Sequence, residues 1–570
     1  MIVRSRMHLA LLILTMLAVS CAGPAPSQSG QVARGGDAAQ SSQPRTFKRV
    51  TAAINGQPTS VISRTNTAQF SIPGSNAVEQ LLNGGLTELN GDGRLQPQLA
   101  EAVPTIENGL WKVFPDGRME TTWNLRPNVV WHDGAPMTSA DFVFTAMVDQ
   151  DPELAIARHG GYQSVESVVP VDPTTITVRW SKPYIDADSM FTGPFAVPLP
   201  SHLLEEPYRQ DKAGFLSLPF WNTEFVGTGP FSMKEFSPGS HVIVQANDKY
   251  AHGRPKIDEI EVKFISDLNT LVTNILAGAV ELSLGRGFSI EQVLLLQAQW
   301  PDGSAQVRPR SWIVLNPQLL NPTPAIIGDV RFRRALMHAT DRQALVDSLQ
   351  AGRTGVAHVY LAPSEPDYKD VENAVVRYEY DQRKAAGMIE ELGYNKGPDG
   401  TYRDTENQRL SVELRTWGLK VSDDATNAVA DEWSRFGVAT EPFIVPTLRI
   451  QDREFSATFP SFFNIRQPNA ASDVARLRGS QTALPENRFV GINYSRYMNP
   501  EFDAMIDRYL TTVPRPERIQ ALRAVMHHIS DQLNVMGLFY DAEIVFISNR
   551  LRNITARETG LWTIQDWDTR

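Results

Sequence analysis

The sequence predicts an α/β protein, and three observations carry that expectation. Stretches that alternate apolar and polar residues recur along the chain, among them residues 119–125, 174–180 and 410–417, as half-buried strands do. Stretches with helical spacing fall between and after them, at 269–277, 330–350, 381–392 and 515–533. No repeat of fixed period runs through the 570 residues, which disfavours solenoids and propellers.

The first element is a leader. Arg4 and Arg6 precede an apolar stretch, residues 9–19, that gives way to Ser20-Cys21-Ala22-Gly23. A spanning helix needs about 20 apolar residues, so a shorter one behind a basic start reads as an export signal over residues 1–20. Cys21 is the only cysteine, so no disulfide explains it. Ala18-Val19-Ser20-Cys21 resembles the bacterial lipobox, in which the cysteine sulfur takes a diacylglyceryl group, although Ala18 stands where leucine is commoner. Lipidation at Cys21 is the expectation, and a leftover signal-peptide cysteine is the alternative. More than one acyl chain would hold the protein firmly at a membrane, as a single chain cannot. Residues 21–46 are then the lipidated cysteine and a flexible tether rich in Gly, Ser, Gln, Ala and Pro.

Roughly 525 residues follow, enough for about three domains. Hydrophobic residues make up 42% and charged residues 21%, the balance of a globular chain with a sizeable core. A net charge of -10 disfavours a nucleic-acid binder, which needs a clustered basic excess. Eleven tryptophans supply flat, rigid side chains, some of which could line a pocket.

Residues 51–70 suggest short strands. Residues 76–89 read as a helix and turn ending in the hairpin signal Asn90-Gly91-Asp92-Gly93. That tetrapeptide lacks the acidic run and closing glutamate of a calcium loop. Thr138 or Ser139 would cap a helix containing Phe142-Val143-Phe144, with Asp141 favouring its N-terminal dipole. Strands are expected at 242–246 and 259–264, helices at 423–436 and 500–509, and a late strand at 544–547. The second half reads as a separate α/β lobe.

Taken singly, Trp131-His132-Asp133-Gly134-Ala135-Pro136 and Val226-Gly227-Thr228-Gly229-Pro230-Phe231 are turn chemistry; the second has neither the lysine nor the helix of a phosphate loop. Their order among other segments is informative. Leu95 to Glu101, Trp123 to Arg126, Val130 to Phe144, Asn247 to Tyr250, Gly253 to Ile260, Asp329 to Leu336 and Asn499 to Asp503 together resemble the extracellular solute-binding proteins of the peptide/nickel type, family five, which serve ABC importers. The matching segments run from about Leu82 to the C-terminus.

The resemblance implies a two-lobed periplasmic-binding-protein-like fold (type II, cluster C) with an inserted β-rich subdomain. By analogy lobe I combines residues 47–80, 220–310 and 540–570, the insertion is 81–219, and lobe II is 311–539. Chain crossings near Arg310 and Leu538 would form the hinge. The implied function is capture of an oligopeptide or related solute between the lobes and delivery to ABC permease subunits with their ATPases. A monomer is expected, held at the periplasmic or extracellular face of a membrane by its lipid, with no cofactor and no nucleic-acid partner.

Many peptide binders of this type carry a segment whose aspartate pairs with the peptide's ammonium. The stretch here, residues 459–468, has no carboxylate. A buried ammonium without a countercharge is costly, whereas an arginine fork welcomes a carboxylate or phosphate. Asn464 and Arg466 are therefore expected to face the cleft and favour a neutral or anionic group, with Arg466 as a lobe-bridging salt-bridge residue the alternative. Trp312, at the expected crossing, Trp417, at a strand end, and Phe463 could each stack on a ligand or pack a core. Trp131 and His132 belong to a motif shared by binders of different ligands, which points to structure. The ten histidines form no compact metal pattern, and adjacent His527 and His528 diverge on a helix. A nickel or haem ligand stays an alternative, as does an anionic or sugar-like one. No Walker loop, Gly-x-Ser-x-Gly elbow or His-Glu-x-x-His helix marks an enzyme. An exported hydrolase would have to rest on pairs such as Asp503 and Asp507, which form an ordinary polar helix face.

Overall fold

Two long strands organise the chain. Gly303–Pro317 and Met536–Ser548 run antiparallel from Gly303 opposite Ser548 to Leu315 opposite Met536, with register skips at Pro309/Ser311 and Ile313/Val314. Such skips bend a ribbon and increase its twist. Together the two strands occupy the centre of a ten-stranded sheet in the computed structural model of the protein. On one side follow Leu282–Leu284, Arg49–Ile54, Glu259–Phe264, His241–Ala246 and Phe231–Ser237; on the other, Phe462–Pro468, Ser411–Thr416 and Ala439–Ile444. The structure describes residues 46–570 except 63–64, 66–71, 92, 155, 157–159, 193–196, 286, 451 and 555–562. The expected leader, Cys21 and the tether to residue 45 lie outside the described residues.

Each side has its own apolar core. Ile54, Val242, Val244, Ile260 and Val262 belong to the first, and Leu315, Leu414, Trp433 and Phe462 to the second. Both sides contain parallel pairs, Arg49–Ile54 beside Glu259–Phe264 and Ser411–Thr416 beside Ala439–Ile444. A parallel pair needs a long crossover; the helix Lys420–Phe436 supplies the second, ending at Gly437 in the left-handed region (φ 119°). The protein is thus a two-lobed α/β structure with one sheet running through both lobes.

A separate antiparallel sheet, Trp111–Val113, Met119–Asn124, Thr175–Trp180 and Val165–Asp172, forms the β-rich part of residues 81–219. Trp123, Trp131, Trp180 and Phe142 are buried in its core. The helix Ser139–Gln150 starts as expected, its Asp141 accepting from the Thr138 N–H at 2.8 Å. That carboxylate also receives Trp131 Nε1 and both donors of Ser201, which accounts for the motif structurally.

His132 joins the two turn motifs. Its Nδ1 accepts from Gly227 N–H at 3.1 Å, its Nε2 donates to Gly229 C=O at 3.1 Å, and its own N–H meets Gly227 C=O. The glycines are dictated by closeness: a Cβ on Gly227 would lie 2.0 Å from the Leu82 carbonyl oxygen and one on Gly229 2.4 Å from the Leu82 carbonyl carbon.

One sequence expectation is corrected, one is extended, and one strand was not foreseen. The single helix over 330–350 is two, Val330–Ala339 and Arg342–Leu349, because Thr340 is extended and the Asp341 side chain caps the second through Ala344 N–H. The late strand at 544–547 is the end of Met536–Ser548, whose first seven residues are all buried and so show no alternation. Gly303–Pro317 was not expected as a strand at all; Pro309 and the polar run around it hide it.

Candidate ligand-binding site

Strand register distributes the candidate residues over both faces of one sheet. Trp312 lies opposite Gln467, Asn316 opposite Phe463, and Leu315 opposite Asn464, with Thr416 on the other flank of Asn464. Because side chains alternate along a strand, Trp312, Phe463 and Gln467 share one face, and Asn464 and Arg466 project from the other.

The first face is aromatic. Trp417, directly after Ser411–Thr416, meets Phe463 edge-on at 4.8 Å and Tyr494 at 5.6 Å, while Trp312 meets Tyr360 at 5.0 Å. Phe463 and Trp312 are buried, and Trp417 is half-buried. The structure therefore brings Trp417 and Phe463 together and holds Trp312 in the same apolar layer. Edge-to-face packing of this kind contributes about 0.5–1.5 kcal/mol per pair beyond area burial.

On the second face Asn464 is fully buried, and neither its Oδ1 nor its Nδ2 has a hydrogen-bond partner. Thr416 Oγ1 beside it, and Ser422 and Thr426 on the covering helix Lys420–Phe436, are buried and unpartnered too. That helix starts at Leu419 with no side-chain cap. Asp423 follows in its first turn, and burial pushes its carboxyl above the ordinary range. A buried polar group left unpaired costs about 1–3 kcal/mol, so native proteins reserve such groups for water, ligand or function.

Arg466 has a partner within the protein. Its Nε donates to Ser311 Oγ and pairs with Asp541 Oδ2, each at 2.7 Å, and Asp541 Oδ1 accepts from Gln350 Nε2 at 3.2 Å. The guanidinium thus ties its own strand to both central strands beside the Pro309/Ser311 skip, and a ligand anion would have to compete with an internal carboxylate.

Several residues gave no sequence signal. Tyr360 lies in the aromatic layer, and Ala362, two residues on, donates its N–H to Asn469 C=O at 3.2 Å. Their relevance depends on burial and missing partners, which composition and spacing do not encode. Among the described residues no group of three or more His, Cys, Asp or Glu is arranged to hold a metal ion. His527 donates to the Ala374 carbonyl, and His528 stacks on Phe502 at 4.4 Å with Tyr497 on its Nε2.

The family of bacterial extracellular solute-binding proteins, family 5 Middle, matches residues 94–483, and the chain belongs to it. It is 23% identical over 571 residues to the oligopeptide-binding protein AppA of Bacillus subtilis, covering 98% of this chain and 97% of that protein. Among solved structures, AppA of Bacillus subtilis with a nonapeptide superposes with a TM-score of 0.69 at 20% identity, over 93% of this chain and 100% of that one. NikA of Brucella suis with Fe(III)-EDTA gives 0.74 at 19%, over 92% and 100%. The protein is accordingly a substrate-binding protein of an ABC importer and not an enzyme. Members of this family act at the periplasmic or extracellular face and partner with permease and ATPase subunits.

Proposed function

We propose that this protein is a lipid-anchored monomeric receptor that takes up an oligopeptide or related small solute between its lobes. Cys21 carries the anchor, residues 22–46 are the tether, and the permease receives the solute. The observation that carries the reading is the buried polar layer around Asn464 on strands adjoining the two that pass between the lobes. Trp417 and Phe463 supply an aromatic wall, Trp312 braces it, and Arg466 serves as a strand clamp. Native mass spectrometry of the purified protein, with identification of the co-purified molecule, tests this. A mixed set of short peptides is expected, and a single metal chelate or sugar would overturn the peptide assignment. For the anchor, Cys21→Ser is expected to move the protein from the membrane to the soluble fraction; continued membrane retention would overturn lipidation there.

A further inference from the structure

Two aliphatic residues are each buried in the other half's core. Ile185 belongs by sequence to the insertion, yet it lies in the apolar core of the aromatic layer, whose every other buried member among the described residues falls within 312–540. Val513 does the reverse. It is buried in the core of the insertion's sheet, whose other buried members among the described residues fall within 86–191. The insertion is carried by the first half of the molecule, since Phe144 and Val148 of its helix share a core with Ile54. The exchange therefore joins the two halves outside the central ribbon.

A backbone hydrogen bond fixes the register of this contact. Leu510 is in the last turn of the helix Pro500–Thr511, where carbonyls have no partner within the helix, and Ile185 N–H donates to its C=O at 3.2 Å. Both sides are firmly mounted. Tyr184 stacks on Trp180 at 5.5 Å, Ser189 Oγ donates to Asp186 C=O at 2.6 Å, and Leu86 N–H donates to Phe191 C=O at 2.9 Å. Opposite them, Arg518 donates from Nη1 to Val513 C=O and from its N–H to Pro514 C=O, each at 2.9 Å, tying that corner to the helix Arg515–Gln532. A second approach lies at the hairpin before Leu95, where a Cβ on Gly93 would stand 3.2 Å from Pro366 Cγ and Cδ. Parting the halves would return both aliphatic side chains to water, which is unfavourable. Two such side chains and one hydrogen bond bias a closure without making it permanent.

We propose that Ile185 and Val513 form a reciprocal latch that holds the two halves together before any solute arrives. The inference adds a regulation to the solute-receptor reading and rests on it for its purpose, while the latch itself is made wholly by the chain. Hydrogen exchange followed by mass spectrometry tests it on full-length protein dialysed free of co-purified solute. The amide at residue 185 is expected to exchange slowly in the parent. Val513→Ala, a change in the opposite half, should speed that exchange on the order of tenfold, and Ile185→Ala should do the same. The amides of Ile260 and Leu522, one in each half, should keep the parent's rates and report that both halves stay folded. Unchanged exchange at residue 185 in both variants would overturn the latch. The parent measurement needs no variant and decides even if one folds poorly: fast exchange at residue 185 that slows only when tryptic casein peptides are added would overturn the latch and leave the solute receptor standing. Slow exchange in the parent that peptides leave unchanged, with both variants faster, would support the latch whatever solute native mass spectrometry finds.

Discussion

Arg466 on the strand Phe462–Pro468 and Asp541 on Met536–Ser548 meet at 2.7 Å past the intervening strand Gly303–Pro317, whose Ser311 is bonded to the same Nε. Both partners are largely buried, and breaking such a pair from one side leaves an uncompensated charge. Asp541→Asn is expected to cost about 3–5 kcal/mol. The double variant Arg466→Gln with Asp541→Asn should recover much of that loss. Chemical denaturation of the four proteins in a double-mutant cycle measures the coupling; additive effects would show that the pair does not act as a clamp.

Asn464 offers the opposite balance. Its amide is fully enclosed with both polar atoms unmet, so Asn464→Leu removes an unsatisfied group at similar volume. The variant is expected to melt higher, by the equivalent of about 1–3 kcal/mol, while less ligand co-purifies with it. A lower melting temperature together with unchanged ligand content would contradict a binding role for this amide.

His132 sets an acid limit. Burial lowers its pKa from 6.5 to about 4, and its Nδ1 is committed as an acceptor from Gly227. The folded pKa lies below the unfolded one, so its contribution is complete above about pH 6.5 and is lost as pH falls toward 4, with a size of order 2–3 kcal/mol. Melting temperature should drop between pH 7 and pH 4.5, and His132→Gln should start lower and fall less steeply. Parallel curves for the two proteins would exclude His132 as the source.

Asp186 and Asp188 work in the other direction. They follow Ile185, whose N–H donates to Leu510 C=O between the insertion and the segment 311–539. Burial raises Asp186 to about 6 and Asp188 to about 7, the Asp186 charge adding to the second, while Arg518 opposes both shifts. With folded values above the unfolded value of about 3.9, stability falls as pH climbs from about 4 through 7. The double variant Asp186→Asn with Asp188→Asn should therefore melt higher than the parent at pH 8 and match it near pH 4. An equal difference at both pH values would rule out titration of this pair.

Legibility in the sequence followed physical type. Elements with one wet and one dry face announced themselves: Met119–Asn124 and Glu259–Phe264 lie within a residue of where alternation places them. Lys420–Phe436 begins three residues before its expected start, because Asp423 reads as a first-turn residue and the uncapped Leu419 gives no earlier signal. The two central strands were opaque for a different reason, since Met536–Ser548 is covered on both faces through its first half and Gly303–Pro317 is interrupted by Pro309. At the site, residue type suggested Arg466 as an anion receptor, and only the distance to Asp541 reveals its counterion.

The single sheet from Ala439–Ile444 to Phe231–Ser237 has a mechanical meaning. Domains tied by loops swing like doors, with little resistance across a wide arc. Here the two central strands form a paired ribbon of thirteen to fifteen residues, with rungs on both sides of its two register skips. Relative movement of the halves would have to flex this ribbon, with curvature expected where the rungs skip. A solute bound between the halves would then be held against the stiffness of that ribbon as well as against solvent.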